Sequence, residues 1–183
     1  IEYRLNGRRF RIDFLVAGKD TDNRDSVVIV ELKQWTDIDF HELPNHVQTF
    51  VGGSVRTTRH PSYQAWSYAS HLEQFNEYIY SNNVRVAACA YLHNCPSGVV
   101  VKADRYSEDT EKAPVFIKGE IEGVQSIIKS HISEGTGTDI LREIDSSPVR
   151  PSKQLADAVG SMLVGIEEFI LLDDQKTVLE TIL

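Results

Sequence analysis

Two short apolar stretches frame this 183-residue chain, Val27-Val28-Ile29-Val30 and Val86-Ala87-Ala88-Cys89-Ala90. Runs of this length and composition read as strands buried on both faces. They predict a central strand over Ser26–Lys33 and a shorter one over Arg85–Leu92. Between them, apolar or aromatic residues recur at 65, 68, 69, 72, 75, 78 and 79. That is the spacing of an amphipathic helix. His60-Pro61-Ser62 opens it, with proline in the first turn, and the pattern carries it to about Tyr80. A strand that follows such a helix returns parallel to the first. Upstream, Asn6-Gly7 is a hairpin turn signal between Ile1–Leu5 and Arg8–Val16, and Lys19–Asp25 is a polar loop. Gly52-Gly53 predicts a second hairpin, between Gln48–Val51 and Ser54–Thr58. Asp37–His46 reads as an irregular connection and Asp104–Ala113 as a charged surface loop. Pro114–Lys118 is expected as an added strand. Glu120–Ile132 and Asp139–Ile144 read as helices, separated by a Gly-containing loop over 133–138. Ser146-Ser147-Pro148 to Pro151 marks a boundary, after which Ser152 is positioned to cap a helix over Lys153–Val164. The fold class is therefore α/β: a central mixed β-sheet flanked by helices, with a C-terminal helical extension.

Length sets the scale at one domain with a real core, plus a small appendage. No apolar run reaches about 18 residues, so no transmembrane helix is expected, and the N-terminus shows no signal-peptide pattern. Two cysteines, Cys89 and Cys95, with Cys89 inside an apolar strand, suit a reduced, cytoplasmic protein. His93-Asn94-Cys95 lacks further ligands at metal-site spacing and reads as a strand-end loop. The 133–138 loop lacks the Gly-Lys-Ser/Thr ending of a phosphate-binding loop.

The net charge is −8, which argues against tight, nonspecific polyanion binding as the main task. The distribution changes that picture. Residues 1–103 hold 11 Lys/Arg and 11 Asp/Glu by direct count, so the acidic excess lies behind them. Arg4, Arg8, Arg9 and Arg11 cluster near one strand, and Arg56 and Arg59 precede the central helix. Such patches can contact phosphates; equally, they can simply solubilise the hairpins.

The candidate chemistry sits at the strand ends. Residues i and i+2 of a strand share a face, so Glu31 and Lys33 project together, with Leu32 expected to be buried behind them. Asp13 lies in the strand-like stretch 11–15. If that stretch pairs beside Glu31, two carboxylates and one ammonium converge. Hard cations such as Mg²⁺ or Mn²⁺ take oxygen ligands of this kind. A bound ion can activate water and neutralise charge on a phosphate, with a lysine assisting. Gln64 and Tyr68 are one turn apart and share a helix face. The plainer alternatives are ion pairs of Asp13 with Arg11 or Arg59 and of Glu31 with Lys33, and a core role for Tyr68. His60 reads as a residue at the helix start, Trp66 as packing, and Gln34 and Trp35 as cleft-shaping.

At these residues the chain resembles the PD-(D/E)XK nuclease superfamily. Asp13 matches the aspartate of the second core strand, Glu31-Leu32-Lys33 the (D/E)XK tripeptide, and Gln64 with Tyr68 the QxxxY element of the RecB-like branch. The resemblance spans roughly residues 1–105 and implies a restriction-endonuclease-like core within a nuclease-like domain over 1–145. It implies catalytic roles for Asp13, Glu31, Lys33, Gln64 and Tyr68. Asp13 and Glu31 would bind Mg²⁺ or Mn²⁺, helped by the Leu32 carbonyl. Lys33 would orient or activate the attacking water, with Gln64 and Tyr68 positioning the lysine or the nucleic-acid backbone. Arg9, Arg11, Arg56 and Arg59 are the expected nucleic-acid contacts. The expected substrate is DNA, with RNA left open. Many RecB-like members carry a glutamate or histidine on a helix ahead of the first strand. Here a strand begins almost at once, and Glu2 lies on the wrong kind of element to replace it.

Phe169-Ile170-Leu171-Leu172-Asp173-Asp174-Gln175 resembles the segment that leads into superfamily 1 helicase motors, with Gln175 at the adenine-reading position. Residues 146–183 are thus expected to be a helical linker toward a helicase/ATPase domain, as in nuclease domains that precede a Schlafen-like or DUF2075 ATPase. A plain C-terminal helix is the alternative. Two classes of function follow: a metal-dependent deoxyribonuclease domain, or a noncatalytic module that docks nucleic acid or protein and regulates an attached ATPase.

Overall fold

The computed structural model describes Tyr3–Arg4, residues 11–135 and residues 137–163. Arg8, Arg9 and the 169–175 segment lie outside the described residues, and of Arg4 only the backbone is described. A four-stranded sheet forms the centre, in the order β3 (Phe14–Lys19), β4 (Asp25–Lys33), β8 (Arg85–Leu92), β9 (Val115–Ile117). β3 is antiparallel to β4, whereas β8 and β9 run parallel. The sheet is mixed, as the element order predicted. A three-stranded antiparallel sheet stands beside it: β5 (Ile38–Phe40), β6 (His46–Val51) and β7 (Ser54–Arg59). β1 (Tyr3–Arg4) pairs antiparallel with β2 (Arg11–Ile12).

β4 is covered on both faces because helices pack on each. Val27 and Ile29 join Leu15, Ala65, Tyr68, Ala69, Leu72 and Ala88 under α1 (Pro61–Phe75). Val28 and Val30 join Cys89 and Val124 under α4 (Ile121–His131). All four of these β4 side chains are at most 2 % exposed. At about 25 cal/mol per Å² of apolar surface, fully burying each contributes about 1.5–3 kcal/mol before the ordering entropy is subtracted. α5 (Gly137–Ser146) lies on β3. Gly137 permits that approach: a Cβ there would stand 1.9 Å from the Ala17 carbonyl oxygen. A third cluster, including Trp35, Val47, Leu92, Val101 and Tyr106, fills the space between the two sheets.

Four expectations change. The central helix stops at Phe75; Asn76 turns extended, accepts from the Ile79 amide at 3.2 Å, and starts the short α2 (Glu77–Ser81). Its side-chain amide also donates to the Ile144 carbonyl at 2.9 Å, so a tertiary contact holds the break. The apolar spacing continues through Asn76, which is why periodicity alone cannot see it. The expected loop at 104–113 is instead a 3₁₀ turn (Asp104–Tyr106) and α3 (Ser107–Lys112), docked on α1. The expected irregular connection 37–46 contains β5, held by pairing with β6. Leu32 is 40 % exposed rather than buried. It points to the α4 side, where that helix no longer covers the strand end, while Glu31 takes the covered side.

Gly52 and Gly53, both at positive φ (61° and 84°), form the two-residue turn that joins β6 to β7. Ser152 caps α6 (Lys153–Leu163) by accepting from the Leu155 amide at 3.2 Å. The segment ahead of it is stitched to the end of α1, with Arg150 and Ser152 amides donating to the Phe75 and Gln74 carbonyls. Cys89 and Cys95 are free and buried. No helix among the described residues is long and apolar enough to cross a membrane.

Candidate active site

The site forms where β3 begins and β4 ends. Phe14 pairs with Val30 in the antiparallel register. One step further, Asp13 comes to the flank of Glu31. Asp13 is not within a strand: it sits at a bend between β2 and β3. Its Oδ2 accepts from the Leu32 amide at 3.0 Å, which ties the bend to the β4 edge. Arg11 lies 3.9 Å from its Oδ1.

Glu31 is 2 % exposed. Lys33, two residues on and on the same face, places Nζ 2.6 Å from Glu31 Oε1. From α1, Gln64 Nε2 donates to the same Oε1 at 2.7 Å and to Tyr68 Oη at 2.9 Å. Gln64 and Tyr68 meet because residues four apart share a helix face. One glutamine thus fixes both the carboxylate and the phenol. Lys33 Nζ also stands 5.3 Å from the centroid of the Trp35 ring.

Glu31 Oε2 is buried with no hydrogen-bond donor. Asp13 raises the Glu31 pKa by its charge and by a hydrogen bond that only a protonated carboxyl can make; when both are ionised neither has a proton to give. Desolvation pushes the Glu31 carboxyl up to about 7, against the opposing pull of Lys33. Burial also raises the Tyr68 phenol, with the Glu31 charge adding to it. A buried carboxylate oxygen without a donor is costly, and a hard cation would satisfy it. Among the described residues no set of three or more His, Cys, Asp or Glu side chains is arranged around one metal position. Asp13 and Glu31 still fit Mg²⁺ or Mn²⁺, because Mg²⁺ commonly takes one or two carboxylates and keeps water in its other positions.

The arginines separate. Arg59, at the end of β7, lies 6.0 Å from the Tyr63 ring, and its charge reaches Tyr68. Arg56, three residues earlier, is on the opposite face of β7, with its guanidinium near the Gly52 turn. The structure therefore brings Arg59 and Arg11 to the site and leaves Arg56 at the hairpin. His60 is fully buried as the α1 cap: Nδ1 accepts from the Ser62 amide at 3.2 Å, and Nε2 donates to the Val101 carbonyl at 3.0 Å. Trp66 packs against the core and under Lys112 Nζ, 4.2 Å from its ring centroid. Tyr63, beneath Arg59, escaped the sequence reading. An aromatic beside Gln64 carries no signal until β7 is known to end there.

Comparison with protein-family models, curated proteins and solved structures found no match.

Proposed function

We propose that this chain is a metal-dependent nuclease domain that hydrolyses DNA phosphodiester bonds. The observation that carries this reading is the buried, under-satisfied Glu31 carboxylate, held between Lys33 and Gln64 with Asp13 at its flank. Glu77 Oε2 and Asp109 Oδ2 are also buried without a donor; Glu31 differs in being gripped by both Lys33 and Gln64 with a second carboxylate, Asp13, beside it.

Asp13 and Glu31 would hold Mg²⁺ or Mn²⁺. Such a cation, when bound, lowers the pKa of water and offsets charge on a phosphate oxygen. Lys33 supplies a second positive charge, 2.6 Å from the same carboxylate, where it can stabilise negative charge that builds on the phosphorus-bound oxygens. Gln64 orients Glu31 by holding Oε1, which leaves Oε2 toward the ligand position. Tyr68 accepts the other amide hydrogen of Gln64 and stiffens that arrangement. Arg59 provides a guanidinium at the rim, suited to a neighbouring phosphate. Placement in a nuclease–helicase protein for DNA processing, repair or defence rests on the 169–175 sequence alone, and a cytoplasmic location on the two free cysteines.

The test is calorimetric titration of Mn²⁺ into the protein and its Glu31→Ala variant, followed by labelled DNA in the same samples. Metal binding and cutting should both vanish in the variant. Cutting that survives Glu31→Ala sinks the assignment. Absence of metal binding in the unaltered protein would favour a noncatalytic docking module.

A further inference from the structure

The three-stranded sheet has two unlike faces. One carries Val47, which is fully buried, and Ile38, packed against the same cluster. The other is built from the cross-strand pairs Phe50–Val55, Gln48–Thr57 and His46–Arg59. Directly paired residues project to the same side. Phe50 and Val55 are 62 % and 65 % exposed. The row therefore runs from an uncovered phenyl ring near the Gly52-Gly53 turn, past an amide and a hydroxyl, to the Arg59 guanidinium. Arg59 ends at Tyr63 and Tyr68, at the rim of the Glu31 cluster. Phe50 and His46 are four residues apart, about 13 Å at ~3.3 Å per residue. Arg56 belongs to the other face, with its guanidinium by the Gly52 turn. Asp39, opposite Gln48, places a carboxylate on this face.

A flat aromatic ring, hydrogen-bonding groups beside it and a guanidinium at the end nearest the Glu31 cluster together match the chemistry of a single nucleic-acid strand. One exposed apolar pair is too small for the apolar centre of a stable protein interface. We propose that this face is a track for single-stranded nucleic acid, with a base stacked on Phe50 and a phosphate at Arg59. The direction of the track, into the Glu31 cluster, rests on the nuclease reading; the binding does not.

The experiment measures anisotropy of a labelled oligothymidine with the full chain in EDTA. Phe50→Ser should weaken binding about tenfold, whereas Phe50→Trp should retain it and show indole quenching by the oligonucleotide. Binding should fall as salt rises. Both variants should keep the thermal midpoint, because Phe50 is exposed. Binding that is equal in Phe50→Ser and the unaltered protein overturns the track, as does absence of oligothymidine binding. A dimer in sedimentation that Phe50→Ser dissolves would also overturn it, by assigning the face to a second copy. Cleavage with Phe50-independent binding removes the track alone. Phe50-dependent binding without metal-dependent cleavage removes the nuclease reading alone.

Discussion

Two carboxylates stand at opposite ends of β4, Asp20 just before it and Glu31 near its end, and they are equally hidden at 3 % and 2 % exposure. Their surroundings differ in kind. Asp20 Oδ1 accepts from the Asp22 and Arg24 amides, both at 2.9 Å, and Oδ2 from Arg85 at 3.0 Å. It is covered by its own loop rather than by the core. The backbone bond from Arg24, with Arg85 assisting, holds its pKa below the usual carboxylate value. Glu31 has two donors crowded on Oε1 and none on Oε2, and desolvation drives it up to about 7. Exposure alone does not separate these two acids. Completion of the hydrogen-bond set does.

The sharpest way to break this contrast is Glu31→Ala. Metal-dependent DNA cleavage should fall by about 10³-fold, read with a labelled oligonucleotide in Mn²⁺; a loss under tenfold would place Glu31 with Asp20 as a structural acid. Next comes stability against pH. The native Glu31 pKa of about 7 exceeds its ordinary value near 4.5, so the folded state holds a proton that the unfolded chain releases. Its favourable contribution is full below about pH 4.5 and lost as pH rises through 7. Glu31→Gln should therefore unfold about 2 kcal/mol harder than the parent at pH 8, with the difference closing by pH 4, in urea titrations. A difference independent of pH would refute the linkage. Gln64→Leu removes the donor that orients Glu31 and should lower cleavage about tenfold at saturating Mn²⁺, checked by single-turnover rates. The smallest expected effect on cleavage comes from Asp20→Asn: rates stay within about twofold, while the denaturation midpoint drops because the loop loses its charged acceptor. Asp20 contributes in full above its ordinary value near 3.8, and that contribution disappears as pH falls through its lowered pKa, opposite in sign to Glu31.

Within β4 the sequence made the site legible for a simple reason. A two-residue period puts Glu31 and Lys33 on one face, and a four-residue helical step joins Gln64 to Tyr68; both pairings are local. The same logic assigned Leu32 to the opposite side. It could not say that this side is open, because coverage depends on where α4 ends. Asp13 read as a strand residue, since alternation continues through it, yet the Leu32 amide pins it at a bend. Arg56 and Arg59 read as one basic pair, although three strand positions put them on opposite faces. α3 was hidden by its charge: its helical state comes from docking on α1 rather than from an apolar stripe.

By itself, the sequence determined the strands other than β5, the start of the main helix, the mixed order of the sheet and which side chains share a face. These follow from periods of two and 3.6 residues and from β-branched runs, all of them short-range properties. Tertiary structure decided that Glu31, unlike Asp20, is left incomplete. The donors to Asp20 come largely from its own loop. Those to Glu31 come partly from a helix 33 positions away, and the missing donor at Oε2 exists only once β3, β4 and α1 have excluded water from the same corner.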